Sequence, residues 1–185
     1  MRNTRRKGLL RGILRGARYV ASPNCDARPA GTAVTLLVLH AISLPPGRYG
    51  GDAIERLFTN RLDPQAHPYF GEISSLRVSA HFLVRRDGRL VQFVPLGKRA
   101  WYAGVSGWRA RERCNDFSVG VELEGAEAAP FAPAQYLRLQ KLISALRAEL
   151  PLRDIAAHSD VAPGRKTDPG ARFDWRRLLA SLSRI

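Results

Sequence analysis

Acidic side chains and cysteines are both scarce in this sequence. Sixteen Asp and Glu residues stand against 30 Lys and Arg residues, which gives a formal net charge of +14 at pH 7. The two cysteines, Cys25 and Cys114, form no CxxC pair. They are too few for the disulfide framework of a small secreted protein, so a reducing compartment is favoured. No run of about 18 apolar residues is present, which argues against a membrane-spanning helix.

The N-terminal region is basic but lacks the apolar segment of a secretory signal peptide. Residues 1–18 contain seven Lys or Arg residues and no acid. We therefore expect a cytoplasmic protein in which residues 1–17 form a basic, solvated or disordered arm. One domain is expected to follow over residues 18–185. A short basic amphipathic helix over residues 9–20, lying on an anionic surface, is the less favoured alternative.

Apolar segments separated by turn signals predict strands interleaved with helices. The run VTLLVLH, which ends at His40, is typical of a buried strand, and Asp87–Gly88 is a hairpin signal. The predicted strands cover residues 34–40, 78–84, 90–95, 117–124 and 155–158. The predicted helices cover residues 52–59, 134–150 and 174–184. This order in a chain of 185 residues predicts a single α/β domain with one central sheet covered by helices.

Two of the four histidines close predicted strands, His40 and His158. Residues at the strand ends of an α/β sheet face the ligand crevice, and Asp168 follows in the next loop. Two imidazoles and one carboxylate match a catalytic zinc, which keeps three protein ligands and an open fourth position. His40, His158 and Asp168 therefore predict a zinc centre. A hydrogen-bonded core residue is the alternative for any single histidine, and we keep that interpretation for His67 and His81.

A hydrolase with such a centre needs a general base within hydrogen-bond reach of the attacking water. Glu122 is the candidate, because it lies on a strand whose alternate residues are valine and leucine. Glu124 shares its face and competes for the role, and an exposed glutamate or a structural ion pair is the alternative for either residue. Lys166, two positions before Asp168, is a candidate for stabilising a developing oxyanion. The alternative is a solvated loop lysine.

Five stretches keep the residues, order and spacing of a known family. They are LLVLHAISLPPG (36–47), DPQAHPYF (63–70), LRVSAHFLVRRDGRLVQFVPLGKRAW (76–101), RERCNDFSVGVELEG (111–125) and HSDVAPGRKTDPG (158–170). With them the sequence resembles the AmpD family of bacterial amidases, zinc enzymes that cut anhydro-N-acetylmuramoyl peptides in peptidoglycan recycling. The resemblance extends over residues 18–180. It implies the amidase fold shared with peptidoglycan recognition proteins, a mixed sheet flanked by helices.

The resemblance also implies roles for individual residues. One zinc ion would be bound by His40, His158 and Asp168, and Glu122 and Lys166 would be catalytic. The implied reaction is hydrolysis of the amide bond between the lactyl group of 1,6-anhydro-N-acetylmuramic acid and L-alanine of the stem peptide. The implied substrate is an anhydromuropeptide. We expect a cytoplasmic monomer with no specific nucleic-acid partner and no membrane span.

Substrate contacts are the least constrained part of the resemblance. Arg77 and Arg113 match family positions near the substrate, and a pair of arginines suits the carboxylates of a stem peptide. Trp101 matches a family tryptophan that would face the sugar, although a core position is the alternative. Ala41 and Tyr102 depart from the family, which usually has Asn and often His at these positions. These departures bear on substrate contact rather than on the metal.

Two other hypotheses remain open at this stage. A non-catalytic module that recognises peptidoglycan fragments would have the same fold, although all the implied ligands and catalytic residues are present here. The positive charge alone suggests nucleic-acid binding with a steep salt dependence, but no nucleic-acid motif supports it. For the basic arm we expect that deletion of residues 1–17 leaves amidase activity near its original value.

Overall fold

A mixed β-sheet of six strands forms the centre of the computed structural model, which describes residues 9–10 and 12–182. The strands of this sheet are β3 Arg18–Tyr19, β5 Leu36–Ile42, β6 Phe82–Val84, β7 Leu90–Gln92, β11 Ser118–Glu124 and β12 Asp154–Ala157. Smaller antiparallel pairs are β1 Leu9–Leu10 with β2 Ile13–Leu14, β4 Cys25–Ala27 with β8 Lys98–Ala100, and β9 Gly107–Trp108 with β10 Arg111–Glu112. The helices are α1 Ala53–Phe58, α2 Pro68–Ile73, α3 Pro133–Glu149, α4 His158–Val161 and α5 Trp175–Leu182. The predicted fold class, a single domain with a mixed central sheet flanked by helices, is confirmed.

The strand order across the sheet is β12-β5-β11-β6-β7-β3. Strands β12, β5, β11 and β6 run parallel to one another, whereas β7 runs antiparallel to β6. β5 and β11 pair over their full length, in a register that places Leu36 opposite Ser118 and His40 opposite Glu122. The two central strands therefore end side by side, and their carboxyl ends meet at one edge of the sheet.

Alternate residues of β5 belong to different layers of the core. Leu37 and Leu39 belong to the cluster that α3 and α5 cover, whereas Leu36 and Val38 belong to a separate cluster on the other face. The α3 residues buried in the first cluster are Tyr136, Leu139, Leu142, Ile143 and Leu146. Their spacing follows one face of a helix, which is why α3 packs along the sheet. A third apolar cluster joins α1 and α2 to β6 and β7.

Several element boundaries differ from the predicted ones. β5 continues for two residues beyond His40, to Ile42. The predicted strand over residues 78–84 is shortened to β6, because its first half bonds elsewhere: Ser79 N donates to Trp101 O at 2.9 Å. The predicted closing helix is α5, which ends at Leu182 among the described residues, and residues 183–184 lie outside them.

The amphipathic helix considered over residues 9–20 is wrong for the described part of that segment. β1 and β2 form an antiparallel pair in which Leu10 lies opposite Ile13, and β3 follows at Arg18–Tyr19. Residues 1–8 and 11 lie outside the described residues. The boundary between arm and domain at residue 17 stays a prediction.

Residues 12–14 nevertheless bond to the central sheet. The side chain of Leu14 is buried in the cluster beneath α3. Gln92, a fully buried residue of β7, accepts a hydrogen bond from Leu14 N at 2.7 Å through Oε1 and donates to Gly12 O at 3.0 Å through Nε2. Gly12 O also accepts from Leu96 N at 3.0 Å. One buried amide thus fixes the backbone of the N-terminal segment.

Both cysteines carry free thiols. Cys114 is buried and Cys25 is half-buried. Over residues 9–10 and 12–182, no helix combines the length and the apolar character needed to cross a bilayer.

His81 is a fully buried histidine immediately before β6. Its Nδ1 accepts a hydrogen bond from Gly120 N at 3.1 Å, so the neutral ring carries its proton on Nε2, which donates to Lys98 O at 3.1 Å. The guanidinium Nη2 of Arg28 lies 3.0 Å from the same Nε2. Burial, and then the positive charge of Arg28, lower the pKa of His81 from 6.5 to about 3.

We expect His81 to make the fold sensitive to acid. The unfolded chain takes up a proton on this residue below pH 6.5, whereas the folded protein does so only near pH 3. The unfolded state therefore binds more protons, and the free energy of unfolding falls as the pH drops, by about 1.4 kcal/mol per unit within this window. Urea unfolding of the metal-free wild type and His81→Gln, at about pH 6.5 and pH 4.5, should show a smaller acid loss in the variant. Equal losses would contradict the role of His81.

Candidate metal centre

Three neighbouring parallel strands bring His40, Glu122 and His158 into one row. His40 in β5 lies opposite Glu122 in β11. Ala157, the last residue of β12, lies opposite Leu39, so His158 follows beside His40. Opposed residues in paired strands project to the same face of the sheet. This row lies at the carboxyl ends of the strands, where open α/β sheets bind ligands.

Asp168 joins the two histidines from the loop after α4. Nδ1 of His40 and Nδ1 of His158 are 2.9 Å apart. Asp168 Oδ2 lies 3.3 Å from His40 Nδ1, and Asp168 Oδ1 lies 3.0 Å from His158 Nδ1. Ala41 N donates to Oδ2 at 3.3 Å. The three residues predicted as ligands therefore form one cluster, with donor atoms within 4.8 Å of one another.

The charge state of this cluster suits ligands for a cation. Burial is the main reason that the pKa of His40 falls from 6.5 to about 4, so this imidazole is neutral at pH 7. Burial alone would raise the pKa of Asp168, but the facing imidazoles of His158 and His40 outweigh it and lower that pKa. The cluster thus presents a neutral nitrogen from His40 beside an ionised carboxylate, the states in which these groups bind metals.

The contacts of the two ring nitrogens of His158 bear on whether a metal ion is compatible with this cluster. Its Nδ1 faces Asp168, and its Nε2 lies 3.4 Å from Ala103 O. A neutral imidazole has one N–H, so it cannot donate at both nitrogens. A cation next to Nδ1 satisfies both contacts, because Nε2 then keeps the proton for Ala103. A tetrahedral ion with bonds of about 2.0–2.1 Å would place its ligand atoms about 3.3 Å apart. The three atoms His40 Nδ1, His158 Nδ1 and Asp168 Oδ2 are separated by 2.9, 3.2 and 3.3 Å.

Glu122 lies beside this cluster as a buried carboxyl group. The residue is 7% exposed, and its Oε2 has no hydrogen-bond partner among the described residues. Burial, and then the negative charge of Asp168, raise the pKa of Glu122 well above 4.5, while Lys166 opposes the shift. A carboxyl group with a raised pKa suits general acid–base chemistry at a pH where an ordinary glutamate would stay ionised.

Glu124, the competing carboxylate of β11, is occupied by structural contacts. Its Oε1 accepts from Arg85 Nη1 at 2.8 Å and from Gly50 N at 2.7 Å, and its Oε2 accepts from Arg86 N at 3.2 Å. Arg85 also donates to Glu55 Oε1 at 2.8 Å. The sequence left open whether either glutamate forms a structural ion pair. Glu124 forms such a pair, with Arg85, whereas Glu122 lies beside the metal cluster.

The cluster lines a cavity of about 750 Å³. Part of the cavity wall is apolar and comes largely from α1, α2 and neighbouring loops: Leu44, Leu57, Phe58, Tyr69, Ile73 and Leu76. Another part is polar and contains Glu127, Lys166 and Thr167. Lys166 is exposed, and its position in the wall gives the ammonium group access to a bound molecule.

Arg77, Arg113 and Trp101 do not line this cavity. Arg77 Nη1 donates to Ser75 O at 2.9 Å. Arg113 Nε lies 3.5 Å from Asp116 Oδ2, and Arg113 lines a neighbouring groove of about 630 Å³. Trp101 is half-buried. The structure does not bring these three residues to the metal cluster, so their substrate contacts stay predictions.

Tyr102 supports the cluster in a way that the sequence did not reveal. Its ring meets the His40 ring edge-on, with centroids 5.2 Å apart, and its hydroxyl hydrogen-bonds Ser118 Oγ. The ring lies on Gly120, where an added Cβ would be 2.7 Å from Tyr102 Cδ1. A glycine inside a strand often marks such a close approach. Gly120 was therefore the feature of the sequence that could have indicated a large side chain packed on β11.

The sequence that forms this site matches a known protein family. Residues 30–171 match the family model described as N-acetylmuramoyl-L-alanine amidase. The chain belongs to this amidase family. It is 54% identical over 178 residues to the 1,6-anhydro-N-acetylmuramyl-L-alanine amidase AmpD of Escherichia coli (strain K12), an alignment that covers 95% of this chain and 97% of that protein. The predicted resemblance to the AmpD family is confirmed.

Solved structures of other amidases share the fold. A crystal structure of a Se-Met AmpD derivative has a TM-score of 0.92 at 52% identity and covers 94% of this chain and 98% of its own. The amidase AmiD from E. coli, in complex with the substrate anhydro-N-acetylmuramic acid-L-Ala-D-gamma-Glu-L-Lys, has a TM-score of 0.60 at 29% identity. That match covers 83% of this chain and 60% of AmiD. The family match includes His40, Glu122, His158 and Asp168.

Proposed function

We propose that this amidase hydrolyses the bond between the lactyl group of 1,6-anhydro-N-acetylmuramic acid and the L-alanine of a stem peptide, with one zinc ion. The row of His40, Glu122 and His158, joined by Asp168, is the observation that carries the proposal. The 54% identity to an amidase named for anhydromuramyl-L-alanine supports the substrate class. AmiD, a more distant relative, is in complex with a substrate that contains the same bond.

His40 and His158 would hold the zinc ion through Nδ1, and Asp168 through its carboxylate. When bound, zinc lowers the pKa of a water molecule and polarises the scissile carbonyl. Ala41 N, which donates to Asp168 Oδ2, and Ala103 O, which lies beside His158 Nε2, would orient these two ligands, as outer contacts of metal ligands do.

Glu122 would move the proton of the reaction. It accepts a proton from the attacking water as the new C–O bond forms at the lactyl carbonyl carbon. It then gives that proton to the alanine nitrogen as the C–N bond breaks, so the peptide leaves with a free amino group. The raised pKa of Glu122, caused first by burial, makes the protonated form accessible for the second step.

Lys166 would stabilise the negative charge that develops on the carbonyl oxygen. Its side chain lies in the cavity wall, and its backbone N donates to Ala162 O at 3.1 Å. Positive charge placed before the reaction is most effective at the transition state, where the oxyanion forms.

Substrate binding by Arg77, Arg113 and Trp101 belongs to the same proposal. Arg77 lies between Leu76 and Val78, which both line the cavity, so a peptide leaving the cavity on that side would meet the arginine. The groove that Arg113 lines shares Arg165 with the cavity. Guanidinium groups at these two positions would suit peptide carboxylates. Trp101 would contact the sugar from its place beside Tyr102.

We place the reaction in cytoplasmic recycling of peptidoglycan, carried out by a monomer. The free thiols of Cys25 and Cys114 suit a reducing compartment. The net charge of +14 suits an anionic muropeptide as the partner, without a specific nucleic acid.

Hydrolysis of an anhydromuramoyl tripeptide tests this proposal directly. Purified protein should release the peptide by cleavage at the lactyl–alanine bond, and a chelator should abolish the activity because the ligands then hold no ion. Added zinc should restore it, with one zinc per chain by metal analysis. Turnover that survives complete metal removal would contradict the metal role. A zinc-loaded protein that binds the tripeptide without cutting it would be a recognition module.

A further inference from the structure

Arg165 joins the loop that carries Lys166 and Asp168 to the loop after Tyr102. Its Nη2 donates to the carbonyl oxygens of Ala103 and Val105, the second at 2.7 Å. Gly104 lies between them with a φ of +61°, and a Cβ added there would be 3.4 Å from the same Nη2. The left-handed backbone at Gly104 therefore turns two carbonyl groups toward one guanidinium nitrogen.

The carbonyl group of Ala103 also faces a proposed metal ligand. His158 Nε2 lies 3.4 Å from Ala103 O. Ala103 is fully buried, and its own N–H donates to Asn115 Oδ1 at 3.0 Å. The group that accepts the second N–H of a metal-bound histidine sets its tautomer and ring orientation. The position of this carbonyl therefore decides how His158 presents Nδ1.

We propose that Arg165 is a positioning residue for the metal centre, acting on His158 through the carbonyl of Ala103. This inference rests on the proposed zinc site. Arg165 belongs to the same loop as Asp168, so its bonds close a ring of contacts from His158 through Ala103 to Arg165 and along the loop to Asp168. One side chain thereby fixes the relative position of two ligands.

The other histidine has no comparable polar support. Within the described part of the chain, His40 Nε2 is buried and has no hydrogen-bond partner. The His40 ring is instead set by packing, with Tyr102 edge-on against it. Polar orientation of the histidine pair therefore comes from the His158 side, where Arg165 acts.

Direct contact with substrate is the competing role for Arg165. The residue is exposed and lines both the cavity and the neighbouring groove. A substrate contact would raise KM on removal and leave zinc affinity unchanged. A positioning role instead weakens zinc binding in the absence of any substrate.

Zinc affinity of the whole protein separates these roles. The Kd for zinc would be measured by competition with a chromophoric chelator, without substrate, for wild type, Arg165→Met and Arg165→Lys. We expect Arg165→Met to weaken zinc binding by roughly 10- to 100-fold, the usual effect of losing an outer contact of a metal ligand. Arg165→Lys should recover part of the affinity, because an ammonium group can still donate to Ala103 O.

Arg138→Met is the matched control. Arg138 in α3 also donates to a backbone carbonyl, Gly88 O at 2.7 Å, but it does not line the cavity. Its zinc Kd should equal that of wild type. Thermal melting of each metal-free protein shows which variants fold, and Arg165→Lys keeps the test available if Arg165→Met does not. Unchanged zinc affinity in a folded Arg165 variant, with or without a raised KM, would overturn the inference alone. A wild-type protein that binds no zinc would overturn the proposed function as well.

Discussion

Replacing Glu122 with glutamine is expected to lower kcat by roughly 10²- to 10⁴-fold, the range of a lost general acid–base group. Glutamine keeps the size of the side chain but cannot accept the proton of water or return it to the leaving amine. The residue is 7% exposed, so bulk water has little access to replace it. Steady-state hydrolysis of an anhydromuramoyl tripeptide measures kcat. Metal analysis should show that the variant binds as much zinc as the wild type.

Glu124→Gln is the matched control on the same face of β11. Its carboxylate pairs with Arg85 in a buried contact, with side-chain exposures of 3% and 6%. Removing one partner of a buried ion pair costs about 3–5 kcal/mol, so this variant should lose stability in urea unfolding. Its folded fraction should retain turnover. Full turnover in a folded, zinc-loaded Glu122→Gln protein would show that another group moves the proton.

Deleting residues 1–17 is expected to lower the free energy of unfolding by about 4 kcal/mol. The deletion removes the buried side chain of Leu14 from the core. It also removes two hydrogen-bond partners of the Gln92 side chain: the donor to Oε1 and one acceptor of Nε2. Because Gln92 is fully buried, water cannot readily replace them. These contacts predict a loss of stability, whereas the expectation that the truncated protein keeps its amidase activity stays a prediction. Urea unfolding at a fixed zinc concentration measures the loss.

Two point variants separate packing from charge in this segment. Leu14→Ala should cost about 2–3 kcal/mol, because it leaves a cavity beneath α3. Arg15→Ala, at the next position, changes an exposed side chain and should stay within about 0.5 kcal/mol of wild type. If the truncated and full-length proteins unfold at the same urea concentration, the contacts of Gly12 and Leu14 contribute nothing to stability.

The sheet was predictable because its signals are local. The apolar run at the start of β5 and the helical spacing of α3 specify burial without knowledge of distant residues. The ligand set was also within reach, since His40 lies near the end of β5 and His158 directly follows β12, and parallel strands bring such ends together. Asp168 was predictable as the third ligand because it lies in the loop that follows His158 in the sequence.

Other features depend on contacts between distant parts of the chain. Glu122 and Glu124 are equivalent in the pattern of β11, and Arg85, 39 positions from Glu124, distinguishes them. Gln92 lies 78 positions from Leu14, so composition carries no signal of the contact between them. The contact of Arg165 with Ala103 spans 62 positions. No local period or propensity encodes such pairs.

The alternation of β5 has a consequence for how this protein can change. Leu39 faces the core beneath α3, and His40, the next residue, faces the metal cluster. A one-residue insertion ahead of Leu39 would turn every later side chain of the strand to the opposite face, placing an imidazole under α3 and a leucine in the cavity. The number of residues in β5 ahead of His40 therefore determines which side chain lies beside Glu122 and His158. We therefore expect insertions and deletions to be tolerated in the loops around the cavity, whereas β5 should tolerate only the replacement of one residue with another.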